Sequence, residues 1–530
     1  MSLTQLSEQL GKVETLVRSA SYIADPLSAY EYLCANQNYN VLLESAEIDS
    51  KDNLKSLILT DAAVRLECQG LTVFCKAVSA NGEAVIQQLA EYGANTQDCN
   101  IINHTTTQLD IQFSPVNHNL DEDSRLKSSF VLAPLREMIR QLTPIRNHPD
   151  SVFLAGAFAY DLLGVYEQLP EVEMGDNTCP DYVFYLAETL IIIDHQRQST
   201  EVLGNIFSGP NVASHYFNVS QRVETLVNAL ETLPESPPST TAASTDIRMS
   251  KSDEEFKQDV LALKEHILAG DIFQVVPSRT FSLECPNPYA AYRELKKRNP
   301  SPYMFYLKDD DFAMFGASPE SALKYEQETN QVEIYPIAGT RPRGKREDGS
   351  LDLDLDSRLE LALREDHKEK AEHLMLVDLA RNDVARVSKP GSRHVKDLLK
   401  VDRYSHVMHL VSRVVGELRD DLDALHAYQA CMNMGTLVGA PKVSAASLIR
   451  EVEKTRRGSY GGAVGYLNAK GDMDSCIVIR SAFVRNGKAY IQAGAGVVYD
   501  SDPQAEADET RGKAQAVISA IQAANQGVSA

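Results

Sequence analysis

Residues 492–521, QAGAGVVYDSDPQAEADETRGKAQAVISAI, constrain the chain more than any other stretch. A strand-like apolar run ends in Gly494-Ala495-Gly496. Glycines there leave backbone N–H groups unshielded, so an anion can approach closely. Asp502-Pro503 then reads as an N-cap and a first helical residue. At about 100° per residue, Glu506, Thr510, Lys513, Ala514, Val517 and Ile521 share one helix face. Asp508, Arg511, Gln515 and Gln522 share the other, solvated one. Charges seldom sit on an apolar face without a partner. Glu506, Glu509 at its border and Lys513 therefore fit a site for an anionic ligand and a divalent metal. Glutamate near a helix start is also favourable through the dipole alone, and GAG is a common tight turn. The rest of the chain has to decide between these readings.

Bulk properties exclude several classes. A net charge of −22 over 530 residues argues against a general binder of nucleic acid or anionic membrane. An anionic substrate would need its own local positive charges. The eight cysteines are scattered without a CxxC pair, which fits reduced thiols in a cytoplasmic protein and speaks against a zinc module. No apolar run approaches the roughly 18 residues of a membrane span, and no signal peptide is evident.

Along the chain, residues 1–40 read as amphipathic helix. Residues 64–68 and 71–78 read as a hairpin, and 101–113, 152–160 and 182–194 as strands. The Pro/Ser/Thr-rich run at 234–247 has little to bury. It divides a region 1–233, through a linker or long loop at 234–250, from a region 251–525. Ser252-Asp-Glu-Glu255 is a capping box, and its helix ends at Gly270. Four strands between 303 and 336 form an antiparallel meander. Residues 357–387 and 404–417 read as helical, and strands return at 462–468, 475–485 and 488–493. Mixed order with long antiparallel runs indicates an α+β fold.

Several short motifs carry chemistry. In residues 366–383, Glu369 and Glu372 share a helix face, followed by LMLVDLA, whose composition implies a buried helix. Together with Glu506 and Glu509 they offer oxygen ligands suited to Mg²⁺, which takes few carboxylates and completes its shell with water and substrate oxygens. Two unrelated surface pairs are the alternative. Gly339-Thr340 ends a strand before basic residues. His406 and His409 lie in an apolar stretch read as helix, where a histidine is usually a satisfied core residue. Thr436 precedes a Gly-Ala-Pro turn, and Tyr460 sits in RRGSYGGAVGY. Arg480 interrupts a period-two β run in CIVIRSAF, as an anion clamp or a structural ion pair.

In combination, PIAGTRPRG, EHLMLVDLARNDVARV, VMHLVSRV, GAPK, RRGSYGGAVGY, the IRSA strand and QAGAGVVYDSDPQAEADETRGKA resemble the chorismate-binding enzymes. The resemblance is closest to their tryptophan-sensitive, anthranilate-forming bacterial branch. It implies an α/β sandwich around orthogonal antiparallel sheets, with the active site in the C-terminal half. It implies that Glu372 and Glu509 bind Mg²⁺ directly and that Glu369 and Glu506 support it through water. Gly339, Thr340, Tyr460, Arg480, Gly494, Ala495, Gly496 and Lys513 would hold chorismate. Glu320 in ASPES would be the general acid for loss of the C4 hydroxyl, with His409 and Thr436 beside the ring and His409 a candidate for the later elimination. Ammonia would attack C2, and loss of pyruvate would give anthranilate. Relatives that add water at C2 use a lysine where this chain has Gln274, and relatives that aminate C4 carry a nucleophilic lysine where it has Ala338. Val438 departs from the Ser or Thr common before GAPK.

The resemblance also implies feedback by L-tryptophan, in a pocket of Leu43, Glu44, Ser45, Lys55, Pro302, Tyr303, Met304, Val464 and Tyr466. There Ser45 would hydrogen-bond the amino acid and Glu44 would balance its ammonium. Nothing in the chain resembles a glutamine-hydrolysing domain, so ammonia would come from solution or from a glutamine amidotransferase subunit in a heterotetramer. Two rivals stay open at this level: a C4-aminating relative, and a non-catalytic tryptophan-binding regulatory protein on the same fold.

Overall fold

The computed structural model describes residues 3–45, 54–128, 130–234, 243–346, 348–404 and 407–526. Residues 235–242 of the expected linker and His406 lie outside the described residues. No described helix is long and apolar enough to cross a membrane.

Two long antiparallel strands, Lys55–Gln69 and Tyr182–Asp194, pair at the centre. Two hydrogen-bonded arms leave this pair. One runs through Asn40–Glu44, Tyr303–Lys308, Phe312–Ser318, Ser481–Arg485 and Lys488–Gly494 to Ser278–Glu284. The other runs through Phe153–Phe158, Ala463–Asn468, Met473–Ile477, Ser321–Glu326 and Gln331–Ile334 to Val407–Glu417. Helices flank this strand network in an α+β sandwich. Strands from either side of the expected linker pair directly, as Leu43 with Phe305 and Ala463 with Phe158 do.

The helix Pro503–Asn525 starts as its sequence requires, with Asp502 capping the Ala505 N–H. Its Ala514, Val517, Ile518 and Ile521 sink into a core shared with Leu295, Phe315 and Ile491. At roughly 1.5–3 kcal/mol per large buried aliphatic, that stripe anchors the helix and fixes where Glu506, Glu509 and Lys513 point. The capping box of Ser252 and Glu255 forms, and Gly270 closes that helix at φ 85°.

Four sequence readings are corrected. Lys12–Ala20 is a strand inside the stretch read as helix. Residues 407–417 are a strand, not a helix. This strand is paired on both edges, by Gln331–Ile334 and Ile337–Pro342 on one side and His394–Arg403 on the other. Such a strand is nearly continuously apolar and cannot be told from a buried helix by periodicity. The run at 475–485 breaks between Ile477 and Ser481, with Arg480 at φ 50° in the left-handed region. Its side chain therefore leaves the sheet at a kink and does not follow the pleat. LMLVDLA is only half covered: Leu376 and Val377 are buried, whereas Leu374 and Asp378 face outward.

Candidate active site

The helix Pro503–Asn525, the loop after Lys488–Gly494 and the helix His367–Ala385 converge on the end of the Val407–Glu417 strand. Lys513 Nζ donates to the Gly494 carbonyl at 3.0 Å and lies 2.6 Å from Glu509. A Cβ on Gly494 would come within 2.9 Å of the Tyr460 hydroxyl and 2.7 Å of the Pro277 carbonyl. Glycine is therefore required by close approach. The Ala495 N–H is already spent on the Pro277 carbonyl, so this residue offers no free donor to an anion. Gly496 faces the Gln274 amide and Glu372. Gln274 is buried with its carbonyl oxygen unpaired.

Glu320 follows the strand Phe312–Ser318 and is 8 % exposed. Burial pushes its carboxyl up to about 7, against the pull of Thr436, Lys513 and Arg480. The buried Thr436 hydroxyl lies near it but has no partner in hydrogen-bonding geometry. Arg480 sits among Tyr460, Glu509 and Glu320, and burial lowers its pKa. Ile337–Pro342 brings Thr340 opposite His409, hydroxyl to Nδ1 at 2.8 Å. Burial, then Arg480, holds the imidazole down at about 4, against a raising contact from the Gly339 backbone, so it is neutral at physiological pH. Tyr404 packs edge-on against that ring at 5.2 Å. Gly339 is at φ 83°, and a Cβ there would press on Glu369.

The four glutamates divide into neighbours under strain and neighbours already paired. Glu372 is raised by burial and by the charges of Glu369 and Glu509, and Glu506 by burial and by Glu509. Glu369 is held by Arg341 at 3.0 Å, as Glu509 is by Lys513. Among the described residues, no group of three acidic, histidine or cysteine side chains closes into a preformed metal cage.

The chain matches the family model of the chorismate binding enzymes over residues 45–519. It belongs to that family. The chorismate-binding enzyme "Anthranilate synthase component 1" of Vibrio cholerae is 58 % identical over 516 residues, 97 % of each chain. The Escherichia coli protein of the same name is 54 % identical over 530 residues, covering 98 % of this chain and 99 % of its own. The solved structure of anthranilate synthase component I from Streptococcus pneumoniae has a TM-score of 0.65 at 27 % identity, with 89 % of this chain and 94 % of that one covered. The menaquinone-specific isochorismate synthase of Escherichia coli shares the fold, with a TM-score of 0.66 at 16 % identity over 98 % and 97 % of the two chains.

As a chorismate-binding enzyme the chain also carries a second cavity, of ≈ 410 Å³. Leu43, Glu44, Ser45, Lys55, Tyr303, Met304, Val464 and Tyr466 line it, and Pro302 is the next residue before Tyr303. The Glu44 carboxylate is occupied elsewhere: it accepts from Tyr292 at 2.8 Å and from Lys296 at 2.7 Å. Leu43 and Ser45 alternate to the opposite face from it. Residues that sequence reasoning did not single out also shape the active site. Arg341 neutralises Glu369, and buried Arg457, paired with Glu453, lies over the Tyr460 ring at 5.5 Å. Their signal was present in TRPRG and RRGSY, but an arginine's partner cannot be read from spacing.

Proposed function

We propose that this chain is the large subunit of an anthranilate-forming enzyme, aminating chorismate at C2 with ammonia from a separate glutamine amidotransferase. The observation that carries the reading is Glu320, a buried carboxyl with a pKa near 7, facing Arg480 and Lys513 in a site with glutamine at 274 and alanine at 338. Arg480, Tyr460 and Lys513 receive the dianionic substrate. Protonated Glu320 donates to the departing C4 hydroxyl. Gln274 cannot act as a base on water, and Ala338 cannot attack C2, so the nucleophile is ammonia. Neutral His409, oriented by Thr340, then takes the C2 proton as pyruvate leaves.

The acidic set fits Mg²⁺. Glu372 and Glu506 carry pKa values raised first by burial and then by neighbouring carboxylates, a setting that a cation would relieve, and Mg²⁺ needs only one or two protein carboxylates beside water and substrate. Glu372 and Glu509 would hold it, with Glu369 and Glu506 behind them. When bound, it withdraws electron density through the ring carboxylate.

The test uses the purified chain with chorismate, Mg²⁺ and ammonium at alkaline pH, followed by anthranilate fluorescence with and without EDTA. Metal-dependent fluorescence is the expected result. Chorismate consumed without anthranilate would overturn the reading in favour of C4 amination or isomerisation.

The second cavity supports feedback by L-tryptophan, with Ser45, Met304 and Tyr466 as its walls. Ser45→Leu fills that space. Its turnover should stay within about twofold of the parent, while tryptophan affinity falls by at least about tenfold, roughly 1.4 kcal/mol. Unchanged inhibition would place the regulatory site elsewhere.

A further inference from the structure

A small cavity of ≈ 20 Å³ lies behind Glu320, walled by Glu320, Thr436, Leu379 and Asp383. That volume holds about one water. A larger cavity of ≈ 380 Å³ adjoins it, and Leu379 and Asp383 line that one as well. The two spaces thus share a wall of one apolar and one acidic side chain. Leu379 is seated tightly there: a Cβ on Gly435 would fall 1.8 Å from its Cδ2. Asp383 is 6 % exposed and pairs with Lys442 at 2.9 Å.

The polar atoms around this path are short of partners. Thr436 Oγ1 on the inner cavity and Tyr166 Oη on a residue of the outer one are buried without a hydrogen-bond partner among the described residues. Buried polar atoms are almost always satisfied, and where protein does not do it, water does. One such atom on each of two adjoining cavities marks a hydrated path.

The chemistry proposed above needs such a path. Ammonia forms the C2–N bond, the C4–O bond breaks, and the Glu320 proton leaves with the hydroxyl as water. The C2 ammonium releases one proton and the Glu320 carboxylate must regain one, so the balance closes. Glu320 lines the inner cavity, so water made at its carboxyl has that space next to it.

Resting on the amination reading, we infer that the Leu379–Asp383 wall is a gated passage through which the product water leaves Glu320 and a proton returns to it. Asp383 is the relay and Leu379 the gate. Burial raises the Asp383 carboxyl, against Lys442 and Arg386, and the neighbouring Cys431 thiol is itself raised by burial. Asp383 is also the one ionisable residue, among the described ones, that lines both spaces.

The experiment compares Leu379→Phe, which fills the wall, with the parent under saturating ammonium and Mg²⁺. Both KM values, kcat and the solvent isotope effect are measured, and folding is checked by thermal melting. The expected result is a kcat lower by about tenfold and a larger isotope effect, with KM for chorismate and for ammonia within about twofold. A raised KM for ammonia at unchanged kcat would overturn the assignment and make the passage an ammonia entry. Unchanged kinetics would show that the wall carries no traffic. Asp383→Asn adds a second readout, a rate rescued by rising concentrations of imidazole buffer. Should loss of the Lys442 pair unfold it, Leu379→Phe decides alone. A parent chain that makes no anthranilate would instead refute the underlying reading.

Discussion

Glu320→Gln should lower kcat by about 10²–10⁴-fold, the usual contribution of a positioned general acid, with KM for chorismate little changed. The amide keeps the shape and cannot donate a carboxylic proton. Loss of activity should come with gained stability. In the folded chain Glu320 titrates at about 7, against an ordinary 4.5. Below the lower value both folded and unfolded chains hold the proton. Between the two only the folded chain does, so stability falls as pH rises, and above about 7 the full cost of an ionised buried carboxylate is carried. Glu320→Gln should therefore exceed the parent in stability at pH 8 by up to about 3 kcal/mol, with the gap closing towards pH 4. Thermal melting across that range checks it. The pH profile of the parent checks it again: kcat should decline above about 7 as the acid form is lost. A variant with near-parental kcat would remove Glu320 from the chemistry.

Arg457→Met should be the most destabilising single change near the site. Arg457 is 2 % exposed, bonds Glu453 at 2.6 and 2.9 Å, and donates to the Leu437 and Val276 carbonyls at 2.9 and 2.6 Å. Its guanidinium lies over Tyr160 at 4.6 Å and Tyr460 at 5.5 Å. Glu453 in turn accepts from the Ser278 N–H and hydroxyl, both at 2.8 Å. Removing the arginine strands a buried carboxylate, at a cost of about 3–5 kcal/mol. The melting temperature should drop by several degrees, and KM for chorismate should rise because Tyr460 loses its support. The double variant Arg457→Met with Glu453→Leu should recover most of the stability, since a volume-matched apolar pair needs no counter-charge. A single variant that melts with the parent would show that the pair contributes nothing.

The sequence by itself determined the α+β class, the helix of Pro503–Asn525 with its cap, and the residue types gathered at the site. These depend on local rules. Asp502-Pro503 starts a helix wherever it lies, and a 3.6 period places Glu506 and Lys513 on the face with Val517 and Ile521. The long motifs extended that reach to Thr340, Glu320 and Arg480 through a family resemblance. Tertiary structure decided what depends on neighbours distant in the chain. Residues 407–417 are a strand because partners bond both edges, a fact that periodicity does not carry. Arg480 reaches the site from a left-handed kink, so the pleat parity read from its sequence did not apply. Glu44 is spent on Tyr292 and Lys296, from a helix some 250 positions away. The Glu320 carboxyl owes its raised pKa to burial, and burial exists only once Thr436, Arg480 and Lys513 have been brought around it.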